Sequence, residues 1–294
     1  MSSNPIAEKL VARMKREMGG KVVNLKHFLA GRAAAEELQK AVVTKKGLDG
    51  FHPAHAAYVY IQNQVSVMSE QLTALDEMAP FAAIVSKAED LCMPSGPPMS
   101  PLTKSYFTCW AFFDACLEPD NETIGTTVLA VGAAFGMHAE LLRFIRLMQE
   151  SRTGLYIHEG TDDGLVVLRE IVTDKVCRAI VPSGYRGHRG ELWYVRVLPP
   201  PIPVGSEHVV FTTPYLLLHP GLRDWLAYFG RTIPKQARLD DYERHMKYGP
   251  TRTYWNEFIF QAYVNYRTEV IYLAGVPDVP ESRPHSAFNE QRFG

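Results

Sequence analysis

The sequence predicts an α+β protein: an N-terminal helical domain over residues 1–152, a small antiparallel β-barrel over 153–219, and a C-terminal helical segment with a tail over 220–294. Three observations carry this reading. Up to about residue 152 the apolar residues recur at helical spacing. From "GLYIHEGTDDGLVVLREIVTDKVCRAIVP" the pattern becomes short runs rich in Val, Ile and Leu, broken by turn residues. After "HPG" at 219–221 the helical period returns.

The first element, "SSNPIAEKLVARMKREMGG", has a Ser/Asn start, an early Pro5 and a glycine stop, which is helix punctuation. "LKHFLAGRAAAEELQKAVVTKKG" continues the helical pattern to Gly47, and "PAHAAYVYIQNQVSVMSEQLTALDEM" reads as one helix from Pro53 to Met78. Pro80 interrupts, and "FAAIVSKAEDLC" follows as a shorter helix. "MPSGPPMSP" (93–101) is a loop, because its prolines lack the N–H that a helix interior needs. "SYFTCWAFFDACL", "TIGTTVLAVGAAFG" and "HAELLRFIRLMQES" complete the domain.

In the second region Asp163-Gly164 marks a hairpin, since glycine accepts the positive φ of the tight turn. "ELWYVRVLP" and "HVVFTTPYLLL" add further strands, and five short strands in so few residues suit a barrel of SH3-like or OB-like kind, by analogy of element pattern alone. In the third region "HPGLRDWLAYFGRTI" is expected to bury Leu222, Leu226 and Phe229, and "ARLDDYERHMKYG" to carry Asp240 and Asp241 at its positive end. "PTRTYWNEFIFQAYVNYRTEVIYLAG" reads as one long helix, followed by a proline-bearing extension.

Composition narrows function. The formal net charge of −1 excludes a protein that binds nucleic acid over its whole surface. The cysteines Cys92, Cys109, Cys116 and Cys177 form no C-x-x-C pair and have apolar neighbours, which points to reduced, buried thiols in a cytoplasmic protein. The N-terminus has no secretory pattern, and the longest apolar run, 123–137, is too short to span a bilayer, so no membrane partner is expected.

Motifs for chemistry are scarce. "GYRGHRG" (184–190) is glycine-rich but lacks the Lys-Ser/Thr ending of a phosphate loop, and a strand follows it. It is read as a wide turn projecting Arg186, His188 and Arg189. His52 and His55 are interrupted by Pro53, and the acids beside His158 belong to a hairpin, so no metal site or cofactor is assigned. There is no G-x-S-x-G and no activated cysteine. Tyr254, Tyr266 and Arg267 form a second candidate surface, of the residue types that dominate protein interfaces.

Three functions follow, in order of preference. The first is a non-catalytic adaptor or regulatory protein that binds another protein through Arg186, His188, Arg189, Tyr254, Tyr266 and Arg267. The second is a nucleic-acid-binding protein using Arg186, Arg189 and Arg196 with a basic arm at Lys15 and Arg16. The third is an enzyme whose site assembles His158, Glu159, His188 and His245 from distant positions.

Overall fold

The computed structural model describes residues 5–19, 47, 49–73, 75–92, 101–117, 121–201, 206–219, 221–233, 239–249, 263–266 and 269–274. Helix α1 (Pro5–Gly19) is followed by α2 (Pro53–Thr73), a 3-10 turn (Asp76–Met78), α3 (Ala79–Cys92) and α4 (Pro101–Phe113). A two-residue ladder, β1 (Cys116–Leu117) and β2 (Glu122–Thr123), leads into α5 (Ile124–Ala134) and α6 (Ala139–Glu150). The expected helix 53–78 therefore divides after Thr73. Pro80 lies in the first turn of α3, where its missing N–H costs nothing. The segment 25–46, the loop core 93–100, and the tail beyond 274 lie outside the described residues.

Helix starts are fixed by specific acceptors. Thr123 caps α5 through its side chain, with Thr126 returning the bond in a capping box. The start of α1 is capped from far away. Buried Glu122 accepts from the Ile6 and Ala7 amides at 3.1 and 3.0 Å, so one carboxylate satisfies two orphan donors and ties α1 to α5.

The strands are β3 (Thr153–Asp162), β4 (Leu165–Glu170), β5 (Val176–Ile180), β6 (Leu192–Leu198), β7 (His208–Val210), β8 (Tyr215–His219), β9 (Tyr263–Tyr266) and β10 (Ile271–Ala274), with helices α7 (Leu222–Thr232) and α8 (Leu239–Tyr248) between β8 and β9. Five strands close a barrel in the order β3-β4-β5-β7-β6, with β6 returning to β3. The β3–β4 turn is the expected hairpin, with Asp163 and Gly164 both at positive φ. Most pairings are antiparallel, but β5–β7 and β8–β10 are parallel, which corrects the purely antiparallel expectation.

Two further expectations are revised. "HVVFTTPYLLL" is two strands. Thr212 takes a positive φ and Pro214 follows, so the chain leaves the barrel and β8 continues beside β6 instead. Residues 263–266 and 271–274, expected in a helix, are strands. Their Tyr, Val and Ile suit a pleated surface, and β8 supplies the edge on which β10 pairs. The buried face of α7 also differs: Trp225, Tyr228 and Phe229 are buried, whereas Leu222 and Leu226 are exposed.

Barrel side chains alternate. Tyr156, Val166, Leu168, Ala179, Trp193, Val195 and Val210 form one cluster; Leu155, Leu192, Tyr194, Leu198 and Val209 join a second that runs through the helices from Ile6 to Met246. Within that helix–barrel contact sits an ionic group. Asp114, just past α4, accepts from Arg196 on β6 and from the Lys247 ammonium of α8 at 2.9 Å. Lys247 also donates to the Ser151 carbonyl at 2.9 Å, and Arg196 reaches the Ser151 hydroxyl at 3.4 Å. Arg196 is 2 % exposed and Asp114 5 %. Replacing Asp114 by Asn leaves two buried cations without their counter-ion. D114N is expected to lower unfolding free energy by about 3–5 kcal/mol, read as a lower urea midpoint.

Candidate functional site

The wide turn of residues 181–191 joins β5 to β6 and lies at the barrel end where β3 finishes and β4 begins. It holds the candidates Arg186, His188 and Arg189, and all three are exposed. The turn is strongly fixed. The His158 ring, fully buried, accepts from the Gly160 amide on Nδ1 at 3.1 Å and meets the Arg186 carbonyl with Nε2 at 2.8 Å. This pattern requires the neutral ring with the proton on Nε2. Burial lowers the His158 pKa below its ordinary value, consistent with that state. The Gly190 amide donates to the His158 carbonyl at 2.8 Å, and the His158 amide to the Glu191 carbonyl at 2.9 Å.

Glu191 fixes the turn from its far side. One carboxylate oxygen accepts from the Tyr185 hydroxyl at 2.9 Å, the other from the Trp193 indole at 3.0 Å. The Trp193 ring packs against both His158 and Tyr185, with centroids 5.2 and 5.5 Å away. Gly187 crosses this ring so closely that a Cβ would stand 2.6 Å from Trp193 Cζ2, and its φ of +65° independently favours glycine. The Arg186 guanidinium donates to the Gly164 carbonyl at the hairpin tip, and Ser183 donates to the Glu269 carbonyl at 2.7 Å. Arg189 has no ion pair or hydrogen bond among the described residues. The turn is therefore a rigid platform with a free cation at its crest.

The other candidates disperse. Tyr254 and Arg267 lie outside the described residues, and Tyr266 ends strand β9 where a helix was expected. Arg196 cannot meet a nucleic acid, because it is buried against Asp114; period-2 alternation points it from β6 towards the helices, not to solvent. Lys15 and Arg16 are exposed on α1. Of the proposed catalytic set, Glu159 pairs with Arg169 at 2.5 Å, and His188 stands exposed on the turn. His245 packs between Tyr228 and Phe229 of α7, so it has different neighbours from His158. His52 uses Nδ1 to accept from the Ala54 amide at the start of α2, and His55 stacks on Phe51. Among the described residues no group of three His, Cys, Asp or Glu side chains could hold a metal ion. Cys109, Cys116 and Cys177 are in no disulfide; burial pushes Cys109 up to about 11 and Cys177 to about 12, so both are protonated at neutral pH.

A second concave feature escaped the sequence reading. At the opposite barrel end, where β3 and β5 begin and β6 finishes, a cleft of about 460 Å³ opens between the strands and helices α6 and α8. Arg152 and Glu170 form a bidentate pair across it at 2.5 and 3.0 Å, and the Thr173 and Tyr242 hydroxyls donate to the same carboxylate. Nothing in the sequence spacing joins residues 150, 170, 177 and 243, because four separate elements bring them together.

In comparisons with known proteins, no family model, curated protein or solved structure matched the chain.

Two outcomes follow from this geometry. G187A is expected to displace the turn from Trp193, giving large amide shifts over 181–191 and a loss of about 1–3 kcal/mol, measured by NMR and urea unfolding. The second concerns His245, whose pKa burial depresses to about 4. The unfolded ring binds a proton near its ordinary value of about 6.5, above the folded one. Stability contributed by the neutral ring is thus full above pH 6.5 and lost as the pH falls from there to about 4. Thermal scans should show H245F with a shallower loss over this window than the parent.

Proposed function

We propose that the protein is a binding module that presents the 181–191 turn to an acidic segment of another protein, acting as an adaptor without chemistry of its own at that site. The observation that supports this most is the contrast within the turn: buried His158, Trp193 and Glu191 fix its backbone, while Arg189 and His188 stand exposed at its crest. A rigid loop has little conformational entropy to lose on binding, and a free cation on it selects an acidic partner. Small five-stranded barrels of the SH3-like or OB-like kind use end loops in this way, and the analogy supports the same use here.

The nucleic-acid reading is disfavoured by the burial of Arg196 against Asp114, which leaves only Arg186 and Arg189 of its three barrel cations exposed. Phosphate-dominated binding needs several. The test uses fluorescence anisotropy of the full chain with a labelled glutamate-rich peptide and a labelled single-stranded oligonucleotide. The peptide is expected to bind, and R189E to weaken it by about tenfold with an unchanged unfolding midpoint. Preferential binding of the oligonucleotide, with affinity falling steeply as salt rises, overturns the proposal in favour of nucleic acid. Binding unaltered in R189E removes the turn from the interface.

A further inference from the structure

The cleft at the other barrel end has the construction of a small-ligand site. Three of its walls come from the barrel interior: Tyr156 on β3, Cys177 on β5 and Val197 on β6 all belong to the inner cluster. The cleft is thus the open mouth of a closed barrel, and its volume of about 460 Å³ falls in the range of pockets that hold small organic molecules. The Tyr156 ring and the protonated Cys177 thiol give it an apolar floor.

The electrostatics at the rim choose a sign. Glu150 is the last residue of α6, has an exposed side chain, and has no ion pair or hydrogen bond among the described residues. A carboxylate at a helix C-terminus is unfavourable, because the unpaired carbonyls there already carry partial negative charge. The last turn of α6 has no basic residue of its own, and the Lys247 ammonium reaches only the Ser151 carbonyl that follows it. Glu243 of α8 adds a second carboxylate, now held by Lys175 at 2.8 Å and more loosely by Arg152 at 3.4 Å. Lys175 is 67 % exposed, so its hold is weak and easily exchanged. Glu170 and Arg152 cancel each other within their bidentate pair. On the wall, burial lowers the His208 pKa, and its Nδ1 has no hydrogen-bond partner among the described residues. The lining therefore carries three carboxylates, Glu150, Glu170 and Glu243, against two cations, Arg152 and Lys175, and the unmatched carboxylate is Glu150, which favours a cation.

We propose that the barrel mouth binds a small organic cation, a primary ammonium on an apolar body, with the body against Tyr156, Cys177 and Val197 and the ammonium between Glu150 and Glu243. The site is independent of the basic turn, which lies at the opposite end of the barrel.

The probes are n-hexylamine, n-hexanol and hexanoate, which share one apolar body and differ in charge. Calorimetric titration of the full chain is expected to give saturable binding of hexylamine, about tenfold tighter than hexanol or hexanoate, with NMR shifts at Tyr156, Cys177 and Val197. E150Q is expected to weaken hexylamine binding about fivefold while leaving the unfolding midpoint unchanged or raised. K175A, which releases Glu243 from a competing ammonium, is expected to strengthen it. A variant that merely damaged the fold would not show that gain. Absence of saturable hexylamine binding at millimolar concentration, equal or tighter binding of hexanoate, or an affinity unchanged in E150Q overturns the proposal.

Discussion

The structure depends on one buried ionic contact. Asp114 terminates α4, Arg196 projects from β6, and Lys247 sits near the end of α8, so a single carboxylate joins the helical part, the barrel and the last described helix. Each charge would be costly alone in the interior. Together they are acceptable because the remaining donors find the Ser151 carbonyl and hydroxyl, and the Cys109 sulfur. Burial lowers the Lys247 pKa while Asp114 opposes the change, so the ammonium depends on this partner. Apolar packing would allow these layers to slide over each other. A geometry that satisfies three charges at once does not, and it sets how α6 and α8 lie against the barrel.

The cleft at the barrel mouth follows from that placement. Ser151 directly precedes β3, so the same contact that receives Lys247 holds the C-terminus of α6 beside the barrel mouth. The Thr153 hydroxyl donates to the Met246 carbonyl, which fixes α8 across the same opening. The mouth is thereby walled without being filled. At the far end no helix is needed, because the turn is held by its own ring stack and by Glu191. One barrel end is shaped by tertiary packing, the other by local chemistry, and the two suit different ligands: a small molecule in a cleft, a polypeptide on a platform.

How much was legible in the sequence differs between the two ends. The turn was visible as "GYRGHRG", since glycines mark positive φ and cations between them have nowhere to go but solvent. Its rigidity was not visible, because the fixing groups His158 and Trp193 lie on neighbouring strands. Arg196 read as a cation for nucleic acid beside Arg186 and Arg189 because its partner Asp114 is 82 residues away. The mouth had no sequence signal at all: Glu150, Arg152, Glu170, Cys177 and Glu243 look like ordinary surface and strand residues until the barrel closes.

By itself the sequence determined the elements whose causes are local. Thr123 and the Asp163-Gly164 turn act within a few residues, so the start of α5 and the β3–β4 hairpin were set before any tertiary contact. The α+β class followed from the change of period near residue 153. Only tertiary structure decided the rest. Residues 263–266 and 271–274 are strands because β8 offers β10 an edge, and α7 turns Tyr228 and Phe229 inward rather than Leu226 because the Tyr242 and His245 rings pack there. Closure of β6 onto β3 made an inside, and with it a mouth and a basic platform at opposite ends, because pairing partners and buried counter-charges are chosen across the fold and not along the chain.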